Sequence, residues 1–271
     1  MTRQYCHIGS RTIAYLDSAP GESQLRTCVL LHAFPIGASL WEPQLRSVPS
    51  GWRFIAPDLR GFGGSTELDT ITNASIGDYA QDAIDLLDEL GVGRVIIGGA
   101  SMGGYVAFAF LQAAADRVDG VILANTRAGA DSPESRANRR NMLAVLDREG
   151  PSGVAREMMP RLLGKTTHET NPEAEPFVRR LIKQQSSMAI RTAIHRMMHR
   201  PDSTPLLLSI TAPTLIITGE EDALIPVEES QAMASAVTGA TLVIVPRAGH
   251  LANLEQPDAF NKALHEFLAT L

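Results

Sequence analysis

Ser101 lies in the G-x-S-x-G pattern of Gly99–Gly103, directly after the apolar run Val95–Ile97 and before the helix-like stretch Tyr105–Phe110. A serine on a sharp turn between strand and helix has a strained backbone and an exposed hydroxyl. Small residues two positions to either side are needed there, because a Cβ would collide across the turn. The start of the helix also directs amide groups and a positive dipole end toward a forming oxyanion. The pattern therefore predicts that Ser101 is a nucleophile.

A serine hydroxyl is a weak nucleophile, so this chemistry requires a base and an acid that orients the base. His250 ends the segment that follows a late apolar strand, and it is the candidate base. The turn at 219–222 supplies Glu220, Glu221 and Asp222 as candidate acids. Asp222 and His250 are 28 positions apart, which leaves room for one helix and one strand. The chain order nucleophile, acid, base is typical of one particular architecture.

Other polar side chains are weaker candidates for this chemistry. His32 belongs to a strand-end motif and is expected to be structural, as is Asp58, and Asn125 lacks the charge of an acid. His195 and His199 have the i, i+4 spacing of a helical metal site, but no further ligands are evident, and we expect both to face solvent. The remaining histidines lie outside the carboxyl ends of strands; they are His7, His168 and His265.

Short apolar runs alternate with helical stretches along most of the chain, which predicts a doubly wound, mostly parallel α/β sheet of eight strands. An edge hairpin is expected over 5–16. Further strands are expected at 28–32, 54–56, 95–97, 121–123, 215–217 and 242–245. Helices are expected near 76–90, 103–115, 227–237 and 257–269. Ligands of such sheets bind at the carboxyl ends of the strands, where Ser101, Asp222 and His250 all fall.

The alternation of strands and helices is interrupted between Arg127 and Thr204. We expect a helical cap over 127–204, inserted into a core formed by 1–126 and 205–271. Four cap helices are predicted, with Ser132-Pro133 and Asn171-Pro172 at helix starts and Gly150 and Gly164 as stops. The cap carries 14 Lys and Arg against 9 Asp and Glu, whereas the rest carries 10 against 21. This difference in charge either helps the basic cap dock onto the acidic core or makes the cap a basic roof of the pocket, which would attract anionic substrates.

The cap also holds six of the nine methionines, including Met159. Ile190, Ile194, Met197 and Met198 form a stripe at helical spacing. This stripe is interpreted as the cap's own core, with an adaptable pocket for an acyl group as the alternative.

Composition is that of an ordinary globular protein, with 44% hydrophobic and 20% charged residues in 271. The N-terminus has no apolar signal segment and no run is long enough to span a bilayer, so we expect a cytoplasmic protein without membrane contact. The net charge of −6 argues against nucleic acid as a partner. Cys6 and Cys28 are expected to be reduced. The oligomeric state is not predicted.

Three segments resemble the α/β-hydrolase fold family, namely 57–65, 99–104 and 249–257. The resemblance extends along the whole chain, and it is strongest to the branch of enol-lactonases, small carboxylesterases and cofactor-free haloperoxidases. It implies Asp222 as the acid. In the family a glycine usually follows the histidine of the motif at His32, and Ala33 stands here instead. The backbone amides of Phe34 and Met102 are expected to form the oxyanion hole.

The sequence thus predicts a serine hydrolase of small carboxylic esters that needs no metal or organic cofactor. A serine in the turn disfavours the dehalogenase and epoxide-hydrolase branches, which use a carboxylate nucleophile. One alternative is a lactonase in which Arg127 holds a substrate carboxylate, and Phe34-Pro35 suggests a perhydrolase side activity. A ligand-binding protein without catalysis is a further alternative. The substrate pocket is predicted to include Ala33, Arg127, Met159, Leu224 and Leu251.

Overall fold

A mixed sheet of eight strands forms the centre of the molecule, for which the computed structural model describes residues 1–66 and 74–271. The strands are β1 (Arg3–Ile8), β2 (Arg11–Asp17), β3 (Arg26–Leu31), β4 (Trp52–Pro57), β5 (Val95–Ala100), β6 (Val118–Ala124), β7 (Thr214–Gly219) and β8 (Thr241–Val245). Their spatial order is β1-β2-β4-β3-β5-β6-β7-β8. β2 pairs antiparallel with β1 and β4, and the other neighbouring pairs are parallel. The predicted fold class and the edge hairpin are confirmed.

The register of the central strands brings their carboxyl ends to one edge of the sheet. Leu31 pairs with Gly99, and Ala100 pairs with Ala124. Ala124 in turn pairs with Ile217. β5 and β7 are buried along their full lengths, because their continuous apolar runs are covered by helices on both faces. The residues that follow these strands therefore meet above the same edge.

Eleven α-helices are present in the described parts of the chain. They are α1 (Glu42–Leu45), α2 (Ile76–Glu89), α3 (Met102–Ala114), α4 (Pro133–Leu162), α5 (Lys165–Thr170), α6 (Ala174–Lys183), α7 (Ser187–Met198), α8 (Thr204–Leu207), α9 (Val227–Ala236), α10 (Ala252–Glu255) and α11 (Pro257–Ala269). The four helices predicted outside the insertion correspond to α2, α3, α9 and α11. Ser75 and Asp78 form a capping box at the start of α2.

The insertion between β6 and β7 differs in detail from the prediction. Ser132 caps α4 by accepting a 3.1 Å hydrogen bond from the amide of Ser135, and Gly150, at φ 62°, interrupts this helix. α4 ends at Leu162, close to the predicted stop at Gly164, but Gly164 is also the N-cap of the short helix α5, which was not predicted. Asn171 ends α5, and α6 starts at Ala174, so the prediction of a helix start at Asn171-Pro172 was wrong.

Cys28 is buried in β3 and Cys6 is half-buried in β1, and both thiols are free. Burial raises the pKa of the Cys28 thiol, which keeps it protonated and unreactive. Over residues 1–66 and 74–271, no helix combines the length and apolar character needed to cross a membrane.

Candidate active site

Ser101 occupies a strained turn between β5 and α3. Its φ of 53° and ψ of −112° lie in a region that residues with a side chain rarely adopt. A Cβ added at Gly99 would collide with the backbone of Gly103, and a Cβ at Gly103 would collide with the carbonyl of Leu31. The glycines therefore allow α3 to start directly against the ends of β3 and β5. This close approach holds the Ser101 hydroxyl at the carboxyl edge of the sheet.

His250 connects Ser101 to Asp222 by two short contacts. His250 Nε2 lies 2.8 Å from Ser101 Oγ, and His250 Nδ1 lies 2.8 Å from Asp222 Oδ2. An ionised carboxylate only accepts hydrogen bonds, so Nδ1 carries the proton of the neutral ring and Nε2 is left as an acceptor for the serine hydroxyl. His250 and Asp222 are both buried. This is the geometry in which an imidazole removes a proton from serine.

The Asp222 carboxylate is held ionised by its surroundings. Burial raises its pKa, but the positive charge that His250 can carry and hydrogen bonds from His250, Ile225 and Asn125 outweigh this effect, so the pKa is lowered overall. Oδ1 accepts the backbone amides of Leu224 at 2.8 Å and Ile225 at 2.9 Å. A carboxylate fixed in this way orients the ring of His250 and stabilises its protonated form.

The two other acids of the 219–222 turn are directed elsewhere. Glu220 is exposed and accepts the amide of Arg247 at 3.3 Å. Glu221 accepts both the amide and the hydroxyl of Thr166, at 2.8 and 2.5 Å. Among the three candidate acids, Asp222 is the one that contacts His250.

Asn125 takes part in the site as a hydrogen-bond donor, a role that its lack of negative charge does not exclude. Its Nδ2 donates to Asp222 Oδ2 at 2.9 Å and to the carbonyl of Gly249 at 3.1 Å, so one amide joins the loops of Asp222 and His250. Asn125 follows β6 with a φ of 46°, a left-handed conformation that asparagine tolerates better than most residues. The available signal was an asparagine at the carboxyl end of a central strand, which was judged only as a possible acid.

The loop after β3 brings Phe34 to the same edge. His32 is buried, and its Nε2 accepts the amide of Leu59 at 3.0 Å, so Nδ1 carries the proton and donates to the carbonyl of Ala33 at 3.0 Å. Burial lowers the pKa of His32 and favours this neutral form. Among the described residues, the Phe34 amide donates no hydrogen bond. His32 thus fixes the loop, while the Phe34 amide is left available.

A cavity of about 550 Å³ opens beside Ser101 and His250. Of the predicted pocket residues, Arg127 and Leu224 line it, whereas Ala33, Met159 and Leu251 do not. Ala33, Met159 and Leu251 belong to the buried apolar core. On α4 it is Met158, the neighbour of Met159, that lines the cavity. The apolar part of the lining comes largely from the insertion and the segment after β7; it includes Met142, Met158, Ile194, Met197, Leu224 and Ile225.

Three arginine side chains surround one buried carboxylate beside the cavity. The carboxylate of Asp131 has no exposed side-chain surface, and it pairs with Arg139 at 2.5 Å and Arg200 at 2.6 Å. Arg127 approaches the same carboxylate at only 3.5 Å, and its buried Nε has no acceptor among the described residues. Glu134, Glu157 and Arg161 also line the cavity. Three guanidinium groups thus share one carboxylate, and two of them, those of Arg127 and Arg139, belong to residues that line the cavity.

Helix α5 ties the insertion to the loops of the site. Glu255, which is 7% exposed, accepts the Leu251 amide at 3.0 Å, the Gly164 amide at 2.7 Å and the Thr167 hydroxyl at 2.6 Å. Glu221 binds the amide and hydroxyl of Thr166 at the same end of α5. Two carboxylates, one from the Asp222 loop and one from the segment after His250, therefore hold a single turn of the insertion.

In the parts of the chain that the structure covers, no cluster of three or more histidine, cysteine or acidic side chains could hold a metal ion. The rings of His195 and His199 stack with centroids 6.2 Å apart on α7. His199 is exposed, as predicted, whereas His195 is half-buried.

The chain belongs to the Alpha/beta hydrolase family, whose model matches residues 28–263. The solved structure of a thermophilic esterase from Thermogutta terrifontis, with malate bound, is 37% identical, with a TM-score of 0.91 over 100% of this chain and 99% of that chain. The enol-lactonase from Burkholderia xenovorans LB400 is 26% identical, with a TM-score of 0.89 over 98% and 100% of the two chains. A 2-hydroxy-6-oxononadienedioate/2-hydroxy-6-oxononatrienedioate hydrolase of Klebsiella pneumoniae is 27% identical over 270 residues, which cover 96% of this chain and 93% of that protein. Family and relatives together define a hydrolase.

Proposed function

We propose that this hydrolase cleaves small carboxylic esters through an acyl-enzyme on Ser101. The observation that carries the proposal is the unbroken chain of contacts from Ser101 Oγ through His250 to Asp222, at 2.8 Å for each step, beside a partly apolar cavity. A non-catalytic binding protein has no need for a buried, hydrogen-bonded arrangement of this kind. The 37% identical esterase supports the same reaction class.

In the proposed reaction, Ser101 Oγ attacks the ester carbonyl carbon while His250 Nε2 takes the serine proton. The carbonyl electron pair moves onto oxygen, where the amides of Phe34 and Met102 stabilise the negative charge, each by about 3 kcal/mol. The intermediate then collapses, and the leaving alcohol takes its proton from Nε2. Water repeats the sequence on the acyl-enzyme and releases the carboxylic acid.

We further propose that residues 127–204 act as a cap on a hydrolase core formed by 1–126 and 205–271. The insertion contributes more than half of the cavity-lining side chains, among them Met142, Met158, Ile194 and Met197. Methionine side chains are unbranched and adaptable, which suits an acyl group of variable shape.

The acyl-enzyme proposal is tested with a fluorophosphonate probe, which labels an activated serine. We expect wild type to be labelled and Ser101→Ala to remain unlabelled, with the label recovered on the peptide that contains Ser101. p-Nitrophenyl esters of increasing acyl length then give the preferred chain length. Equal labelling of both proteins, or an active Ser101→Ala variant, would contradict the assignment.

A second candidate function is the hydrolysis of esters or lactones that carry a carboxylate. The observation that favours it is Arg127, which lines the cavity and makes only long side-chain contacts, at 3.5 Å with Asp131 and at 3.4 Å with the Ser135 hydroxyl. Its side chain is 21% exposed, so the accessible part of the guanidinium could form a charge-assisted pair with a substrate carboxylate. One relative is named an enol-lactonase and another is named for a dioate.

This candidate is tested by comparing kcat/KM for a neutral ester and for an ester or enol-lactone that bears a carboxylate. We expect Arg127→Ala to lose about tenfold or more on the anionic substrate and little on the neutral one, since a charge-assisted hydrogen bond contributes roughly 1.5–3 kcal/mol. Arg140→Ala is the matched control, because Arg140 is an exposed arginine on α4, the helix that follows Arg127, and does not line the cavity. Equal loss on both substrates would reject a carboxylate site.

A further inference from the structure

We propose that Gln185, a residue of the insertion, positions the oxyanion loop, which we define as residues 33–38. The proposal rests on the proposed ester hydrolysis, because it assigns Gln185 a role in placing the Phe34 amide. Gln185 does not line the cavity at Ser101, so it does not act by touching the substrate. Its role is to transmit the position of the insertion to the loop.

The carboxamide of Gln185 uses its donor and its acceptor in contacts between the insertion and the core. Gln185 lies between α6 and α7 and is 7% exposed. Its Nε2 donates to the carbonyl of Ile36 in the oxyanion loop and to the carbonyl of Leu181 at 2.9 Å. Its Oε1 accepts the amide of Gly63 at 2.9 Å. The Gln185 side chain, at the junction between α6 and α7, thus joins two loops of the core.

The Ile36 contact is close to the proposed oxyanion donor along the chain. The amide of Ile36 donates to the carbonyl of Ala33 at 3.1 Å, which closes a tight turn around Phe34 and Pro35. The Gln185 contact therefore fixes the residue at the end of this turn. Any shift of the Ile36 peptide moves the turn and with it the Phe34 amide.

Asp58 holds the far end of the same loop from within the core. Its Oδ1 accepts the amide of Ala38 at 2.8 Å, and its Oδ2 accepts the amide of Gly64 at 3.1 Å. Between these anchors, Gly37 adopts a φ of 124°, a conformation that favours glycine. Asp58 and Gln185 therefore hold the loop from opposite partners, one in the core and one in the insertion. Removing the Gln185 side chain deletes the hydrogen bond from the insertion to Ile36 and leaves the one from Ala38 to Asp58.

Two substitutions separate the hydrogen bonds of Gln185 from its volume. Gln185→Met fills similar space without polar atoms, and Gln185→Glu keeps an acceptor for Gly63 but loses the donor to Ile36. Gln184→Ala is the matched control, because Gln184 is the exposed neighbour on the same turn. A small misplacement of a catalytic group lowers rates by up to roughly 100-fold. We expect both Gln185 variants to lose about 10-fold to 100-fold in kcat, with KM within about twofold and with no change for Gln184→Ala.

Two measurements distinguish positioning from loss of folded protein. Fluorophosphonate titration counts active sites, so that kcat is expressed per competent molecule, and inhibition by a trifluoromethyl ketone reports the oxyanion hole. We expect the inhibition constant to rise in parallel with the fall in kcat/KM. If kcat per labelled site returns to the wild-type value, or inhibition is unchanged, Gln185 has only a structural role and the proposal is overturned.

Hydrogen exchange tests the proposal independently of ester hydrolysis. We expect the amides of residues 33–38 to exchange faster in Gln185→Met than in wild type or Gln184→Ala, while exchange in β5 is unchanged. Unchanged exchange in the loop would overturn the proposal even if wild type hydrolyses no ester. Failure of the proposed function shows instead in the wild-type activity and labelling experiments.

Discussion

Asn125 offers a test of how the loops of Asp222 and His250 are held, because its side chain can be removed with or without straining the backbone. Asn125→Gly deletes the amide and still allows a φ of 46°. Asn125→Ala deletes the same amide but places a Cβ in a left-handed conformation, which costs about 1–2 kcal/mol. The two variants share one missing hydrogen-bond donor and differ in backbone strain.

The expected loss of activity follows from the contacts of the amide. A hydrogen bond to a charged group contributes about 1.5–3 kcal/mol, and the bond to Asp222 Oδ2 at 2.9 Å is of this kind. At 1.36 kcal/mol per tenfold, its full loss in the transition state lowers kcat/KM by about 10-fold to 150-fold. This is an upper range, because the amides of Leu224 and Ile225 continue to hold Oδ1.

The assay is kcat/KM for p-nitrophenyl acetate against pH, together with thermal unfolding. We expect both variants to lose activity equally, and only Asn125→Ala to show the additional drop in Tm. Because the Asn125 hydrogen bond is one of those that lower the pKa of Asp222, its removal raises that pKa, and the part of the acid loss of activity that is due to protonation of Asp222 moves to higher pH. Wild-type kcat/KM in Asn125→Gly, with an unshifted acid limb, would refute this account of the acid loop.

Two further predictions concern the acids of the site and its wall. Asp222→Asn is expected to lower kcat about 10⁴-fold, and exposed Glu220→Gln less than twofold, in the same ester assay; the reverse order would reassign the acid. Asp131→Asn is expected to destabilise the protein by about 3 kcal/mol near neutral pH, because Arg200, whose side chain is 3% exposed, loses its partner. Burial raises the pKa of Asp131, but Arg139 and Arg200 lower it below its ordinary value overall. Its stabilising contribution is therefore complete above about pH 4 and disappears as pH falls through the lowered pKa, so urea unfolding free energies of wild type and variant should converge in acid.

The fold, and the grouping of Ser101, Asp222 and His250, could be predicted from the sequence because each depends on local sequence patterns. Apolar runs with turn residues fixed the strand sequence, and parallel strands bring their carboxyl ends to one edge. Ser101, Asp222 and His250 each follow such a strand. Their convergence is therefore a consequence of topology, although their catalytic roles remain predictions.

The roles of the supporting residues could not be predicted from the sequence. Their partners are distant along the chain, and the residues beside them form no recognisable motif. Asn125 contacts a residue 97 positions away, and Gln185 contacts one 149 positions away. Whether Met158 or Met159 lines the cavity depends on the phase of α4 after Gly150. Adjacent helical residues point about 100° apart, so a break of unknown angle removes the information that would select one of them.

The two carboxylates that hold α5 limit how freely hydrolases of this kind can exchange their insertions. Function varies within a fold when new segments are grafted onto a stable framework. A foreign segment placed on this core would meet Glu221 and Glu255, both of which need the amides and hydroxyls of a single turn at 164–167. A segment without that turn would leave Glu255 buried with the Leu251 amide as its one remaining partner among those described above, next to the backbone of His250. Chimeras that keep residues 164–167 of this chain, and replace the helices on either side, preserve the contacts that order the loops of Asp222 and His250.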